Sequence, residues 1–162
     1  MVKSALVCSI VLAVSAGPVL AQANPRGQAK ATLAGKSVVI EYGRPSLKGR
    51  DMLGQAEVGK AWRMGADSAT TLKTEADLTL GTASVPKGTY TLKATKVAED
   101  KWNLNIIAQD EAKTAVADVP LTTSKLPASV ELFTLELKGE KEKGEFEMKW
   151  GTTSLKAPFT AK

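Results

Sequence analysis

From residue 29 onward the chain alternates apolar and polar side chains in short runs broken by Gly, Pro and Asp. That period of two is the signature of a strand buried on one face. Residues 29–33 and 37–42 read as two strands around a turn at Ala34-Gly35-Lys36, with Val38, Ile40 and Tyr42 sharing a face. Residues 60–64 return to extended structure, and 69–74 and 77–80 read as short strands joined to the next by Gly81-Thr82. Val85-Pro86-Lys87-Gly88 suits a type I turn, with proline second and glycine fourth. It launches a strand in which Tyr90, Leu92 and Ala94 alternate with Thr89, Thr91 and Lys93. Glu99-Asp100-Lys101 turns into 102–108, where Trp102, Leu104 and Ile106 share a face. A strand over 114–121 is expected to stop near Pro120, followed by a loop over 122–128 that holds Pro127. Residues 130–137 and 145–150 pair across KGEKEKG, with Phe146, Met148 and Trp150 on one face and Glu145, Glu147 and Lys149 on the other. A last strand after Gly151-Thr152 carries Leu155, Ala157 and Phe159.

Many short alternating strands without a helical period predict an all-β domain, an antiparallel sandwich or partly closed barrel. The exception to the pattern is residues 46–59, which keep no period and read as a structured loop with one helical turn at Asp51-Met52-Leu53. The N-terminus is also set apart. Lys3, an uncharged apolar run over 4–20 and the small residues Ala21 and Ala23 make a secretory signal peptide, with cleavage expected after Ala23 or, second, after Ala21. Gly17-Pro18 interrupts a run already short of the ~20 residues a membrane span needs. The organisation expected is a signal peptide over 1–23, a lead-in and first strand over 24–36, and one β-sandwich domain over 37–160 in a protein that is periplasmic or secreted, with no membrane span in the mature chain.

Composition narrows the chemistry. The sequence has no histidine, and its single cysteine, Cys8, lies in the leader. Ser-His-Asp and Cys-His nucleophiles and the usual zinc ligand sets are therefore excluded from the mature chain. Glu99-Asp100 and Asp110-Glu111 lack the alternating acids and central glycine of a calcium loop. No cofactor or metal is expected. Lysine and arginine total 22 against 17 acidic residues, a mild excess spread over the strands, and no basic stripe with interleaved aromatics points to nucleic acid.

Two loop stretches hold the candidate chemistry. YGRPSLKGRDML and GKAWRMGADSATTL carry Arg44, Lys48, Arg50, Trp62, Arg63 and Asp67. Arginine's planar fork suits a carboxylate, phosphate or sulfate, and a tryptophan face suits a sugar or a cation. Gly43, Gly49 and Gly65 would let backbone amides approach an anion. These residues form a candidate ligand site for a small anion or a carbohydrate. The structural alternative ties Arg63 to Asp67 or Asp51 and places Trp62 in the core. The arrangement expected mixes the two: Trp62 and Arg63 mostly buried at the base of the loops, with Arg44, Lys48 and Arg50 nearer solvent. Asp51, Glu57 and Asp67 could supply the carboxylate pair of a glycosidase, which needs no histidine. A Ser46–Lys48 nucleophile pair is the remaining catalytic option.

With EYGRPSLKGRDMLG and GKAWRMGADSATTL, the stretches PKGTYTL, DKWNLNI, ELFTLEL and MKWGTTSLKAPF complete a pattern over most of 37–159 that resembles the domain-of-unknown-function 2911 family. The resemblance implies a bacterial, exported, all-β domain and supplies no activity. Its most specific pieces are RPSLKGR and WRMGADSATT. Glu57-Val58 stand where the family often has proline and an aromatic, so no aromatic wall is expected there. The function expected from the sequence is a non-catalytic binding or accessory module; the alternatives are a carbohydrate-active hydrolase using Asp51 and Asp67, and a purely structural envelope protein.

Overall fold

The structure is a computed structural model and describes residues 23–162. The expected signal peptide, apart from Ala23, and Cys8 lie outside the described residues. Strands β1 (Arg26–Leu33) and β2 (Lys36–Gly43) form a hairpin, with Ala29, Leu33, Val38, Ile40 and Tyr42 turned inward. They are followed by β3 (Ala61–Trp62), β4 (Thr70–Thr74), β5 (Leu78–Leu80) and β6 (Ala83–Val85). The longer strands β7 (Gly88–Ala98), β8 (Lys101–Ala108), β9 (Ala115–Glu140) and β10 (Lys143–Ala161) complete the chain. All ladders are antiparallel and run β1-β2-β4-β7-β8-β9-β10-β5-β6, with β3 attached to β7. The fold is thus all-β and sandwich-like, but built from one continuous sheet wrapped over a shared core. The sheet does not close into a barrel, and β1 and β6 remain its edges.

The wrap is made by β9 and β10. The loop expected over 122–128 is instead extended and belongs to β9. Up to Leu121 that strand is laddered to β8, and from Thr122 to β10, so Pro120 lies where β9 has a ladder on one side. Pro127 lies within 126–129, which the register skips opposite Thr152. A bulge and a singly paired stretch are where a strand tolerates a missing N–H. The break expected at Gly151-Thr152 is likewise a bend inside β10. Seven extended residues span roughly 23 Å, yet the Ser154 hydroxyl donates to Glu147 Oε1 at 2.7 Å. Lys156 reaches Glu145 at 3.3 Å, and Ala161 N–H donates to the Glu142 carbonyl at 2.8 Å. The two halves of β10 therefore lie side by side. The bend at 86–87 has no hydrogen-bonded turn of its own; Lys87 N–H donates to Asp77 Oδ1 at 2.7 Å instead. Strand β6, which the sequence pattern did not reveal, pairs with β5 just before it.

The core draws on every layer of the wrap. Leu33, Ile40, Leu92, Ile106, Phe133, Met148 and Leu155 are fully buried. The void between Leu72, Leu92, Leu104 and Phe146 is only about 20 Å³, at most room for one water.

Glu147 falls on the polar face of β10, as its spacing predicts, but it is 3% exposed. The folded-back half of β10 covers it, and Lys138, Lys149 and Lys156 stand at 3.1, 3.4 and 3.6 Å. Burial pushes its carboxyl up, but hydrogen bonds from Ser154 and Lys138 and the charges of Lys149 and Lys138 outweigh this and hold the pKa at about 2. A depressed folded-state pKa gives stability that is present above the unfolded value and lost as pH falls through the folded one. Glu147 is therefore expected to contribute on the order of 3 kcal/mol near neutral pH, disappearing between about pH 4.5 and pH 2. Denaturant unfolding across that window checks this: the loss should shrink clearly in Glu147→Gln. Parallel curves for the two proteins would refute it.

Candidate functional site

The two motif loops meet through their backbones. A Cβ on Gly43 would stand 2.0 Å from the Ala66 carbonyl oxygen, and one on Gly65 would stand 2.9 Å from the Gly43 oxygen. Only glycine permits that approach at both positions. Met64 at φ 53° is buried beneath the second loop, and the Thr70 hydroxyl donates to its carbonyl at 2.6 Å. The first loop then runs along β9: Phe133 N–H donates to the Pro45 carbonyl at 2.9 Å and Leu47 N–H to the Glu131 carbonyl at 3.0 Å. Further on, Gln55 N–H donates to the Asp51 carbonyl at 3.2 Å, closing the single helical turn expected there.

The basic residues mostly serve this loop framework. Arg44 is half-buried and donates to the Phe133 carbonyl at 3.1 Å and to Thr134 Oγ1 at 3.0 Å. Arg50 is exposed and donates to the Leu47 carbonyl at 3.2 Å. Arg63 is exposed rather than buried, and it donates to the Asp67 carbonyl at 3.1 Å instead of pairing with the carboxylate of Asp67 or Asp51. The Asp67 carboxylate is engaged by the Asn24 backbone N–H at 2.9 Å. Lys48 is exposed at φ 49°, with its backbone N–H on Glu131 Oε1 at 2.9 Å. The order of depth expected from the sequence is therefore reversed for Arg44 and Arg63: Arg44 goes in and Arg63 stays out, while Arg50 lies at the surface as expected.

Glu131 is a residue the sequence did not single out. Its carboxylate accepts from the Ser46 hydroxyl and the Lys48 N–H, which together hold its carboxyl below the usual range. Ser46 is thus directed to Glu131 and not to Lys48. Of the acids expected for a hydrolytic pair, Asp67 is thus bound by Asn24, and Asp51 and the third candidate Glu57 have local partners as well. Asp51 Oδ1 caps Gly54 N–H at 2.9 Å, and Glu57 pairs with Lys60 at 3.2 Å, both on the surface.

What the two loops do assemble is aromatic. Trp62 is half-buried and stacks on Trp150, with ring centroids 5.5 Å apart and planes 11° apart. Phe133 sets its edge against both rings at 5.2 and 5.4 Å and against Tyr42 at 5.7 Å. Trp150 Nε1–H donates to the Glu131 carbonyl at 3.2 Å, which fixes the ring. Beside this stack lies a groove of about 320 Å³ lined by Trp62, Trp102 and Trp150, with Met52 and Leu53 from the helical turn. Gln55, Glu57 and Lys60 form its polar rim. Lys96, buried on the inward face of β7, holds the loop over the groove: its carbonyl accepts from Gly59 N–H at 2.8 Å, and its Nζ donates to the Gly54 carbonyl at 3.5 Å. Of the expected site residues, only Trp62 lines this groove, and Trp102 and Trp150 join it.

Among the described residues no group of three or more His, Cys, Asp or Glu side chains is arranged to hold a metal ion. No helix among them is long and apolar enough to cross a membrane. No curated protein and no solved structure matches the chain. One family does, described as protein of unknown function (DUF2911), over residues 24–159. That span takes in both motif loops, all three tryptophans and nearly the whole wrapped sheet, and the chain belongs to the DUF2911 family.

Proposed function

We propose that the protein is an exported, non-catalytic binding module whose site is the tryptophan groove under the 51–61 loop. The export half rests on the leader pattern of 1–23. One observation carries the binding half: every tryptophan in the sequence lines the same groove. Ligand sites are concave and mainly apolar or aromatic, with a few polar groups to orient the ligand. Here Gln55, Glu57 and Lys60 are those groups. The ligand class it fits is a carbohydrate. A sugar packs its C–H face on aromatic carbon and offers hydroxyls to the rim, whereas an anion would find Arg44, Arg50 and Arg63 each donating to a carbonyl.

Because the three tryptophans share the groove, intrinsic fluorescence reports on this site alone. Titration with neutral sugars should change tryptophan emission and raise the thermal midpoint, as any ligand of the folded state must. In Trp62→Ala the same sugars should lose at least about tenfold in affinity, the equivalent of ~1.4 kcal/mol. A response that survives Trp62→Ala undiminished would move the site elsewhere.

A further inference from the structure

The tryptophan groove continues past Trp150. A second cavity of about 430 Å³ adjoins it, and Met52, Leu53 and Trp150 line both. A third, of about 470 Å³, shares Thr152 with the second. The three follow the bend of β10 from Trp150 to Thr153. Their chemistry changes along the way. The first is floored by indole, the second has Ser129, Thr152 and Glu131 on its walls, and the third has Thr123, Ser124 and Lys125. Charge along the run is nearly balanced. Glu57 and Lys60 neutralise one another, and Arg50 and Lys125 are set against Asp51, Asp100 and Glu131.

The geometry points to a linear, uncharged oligosaccharide as the occupant, with one ring on the tryptophans and later units hydrogen-bonded along the hydroxyl and carboxylate wall. This inference rests on the groove being the binding site. An anionic chain would meet more carboxylates than cations in the second and third cavities. An acyl chain would cover the hydroxyls of Ser124, Ser129 and Thr152 and the Asp100 carboxylate and leave them unpaired, which costs more than their hydrogen bonds return. Sugar hydroxyls both donate to carboxylates and accept from Lys125, Ser124 and Thr152, and repeating units suit a run of successive cavities.

The test is calorimetric and fluorescence titration of the chain from Asn24 with cello-, xylo-, manno- and chito-oligosaccharides, from mono- to hexasaccharide, alongside neutral glycine-serine peptides of matching length. Trp62→Ala removes the near end and Lys125→Ala the far end; Lys125 is exposed, so its loss should leave the fold intact. In at least one sugar series, affinity should rise about tenfold or more between the mono- and tetrasaccharide. Lys125→Ala should weaken the hexasaccharide by about threefold or more and leave the monosaccharide unchanged. Trp62-dependent binding that is equal at every length overturns the extended site while leaving the groove as a small-sugar site. Length-dependent binding of the peptides in place of the sugars overturns the ligand class. No Trp62-dependent signal with any series, up to about 10 mM, overturns both this inference and the groove itself.

Discussion

Gly43→Ala lowers the stability of the folded chain by about 4 kcal/mol or more, beyond the ~1–3 kcal/mol usual for an overpacked site. The new methyl would stand 2.0 Å from the Ala66 carbonyl oxygen, 2.9 Å from its carbon and 3.0 Å from its nitrogen. These are backbone atoms, so no rotamer change relieves the clash. Relief requires the 63–69 loop to lift, and three things hold it down. Met64 is fully buried, the Thr70 hydroxyl grips the Met64 carbonyl, and β4 begins at Thr70 in register with β7. The loop also cannot lift alone, because Gly65 packs back on the Gly43 oxygen. Urea unfolding of the purified variant measures the loss as a shift in midpoint at constant slope. A loss below about 1 kcal/mol would show that the two motif loops are not locked together, and with it the account of why each carries a glycine there would fail.

That contact illustrates what the sequence does and does not convey. The inward faces of β2, β7, β8 and the first half of β10 follow from period-two alternation, because each strand buries one face and leaves the other polar. Val38, Ile40 and Tyr42, or Phe146, Met148 and Trp150, are buried as their spacing requires. The course of β9 was not legible. Proline is read as a stop because it cannot donate to a ladder, but Pro120 and Pro127 occupy a singly paired stretch and a bulge, where no donor is demanded. The buried state of Glu147 depends on β10 folding back on itself, and no local pattern announces a partner seven residues away in the same strand.

The arginines misled for a related reason. A carboxylate partner leaves a residue type in the sequence, so Asp51 and Asp67 are the partners the sequence suggests. A carbonyl partner leaves none, and Arg44, Arg50 and Arg63 each donate to a carbonyl. The groove itself was half legible. Trp62 stood out in its motif, while Trp102 and Trp150 read correctly as inward-facing strand residues. Their meeting beneath Met52 and Leu53 depends on the wrap of the sheet, a long-range property.

Phe133→Ala is the second large loss expected, about 4–5 kcal/mol, near the top of the range for deleting a buried phenylalanine. Phe133 is fully buried and is the one ring that touches Tyr42, Trp62 and Trp150 together. Its removal forfeits three edge-on aromatic contacts of ~0.5–1.5 kcal/mol each beyond the area term, and opens a void between strands that cannot approach one another. The backbone of Phe133 is tied to Pro45 and Arg44, so β9 keeps its place and the void does not close from that side. Trp150 is held by the Glu131 carbonyl, which blocks closure from another. Only Trp62, half-buried on a two-residue strand, could swing inward. Guanidinium unfolding of Phe133→Ala beside Trp62→Ala separates the roles. Phe133 supports the stack and should govern stability, while the half-exposed Trp62 should cost about 2 kcal/mol or less and govern ligand binding. If Phe133→Ala costs under about 2 kcal/mol, Trp62 has refilled the void, and the groove floor is then too pliant to present a preformed face to a sugar ring.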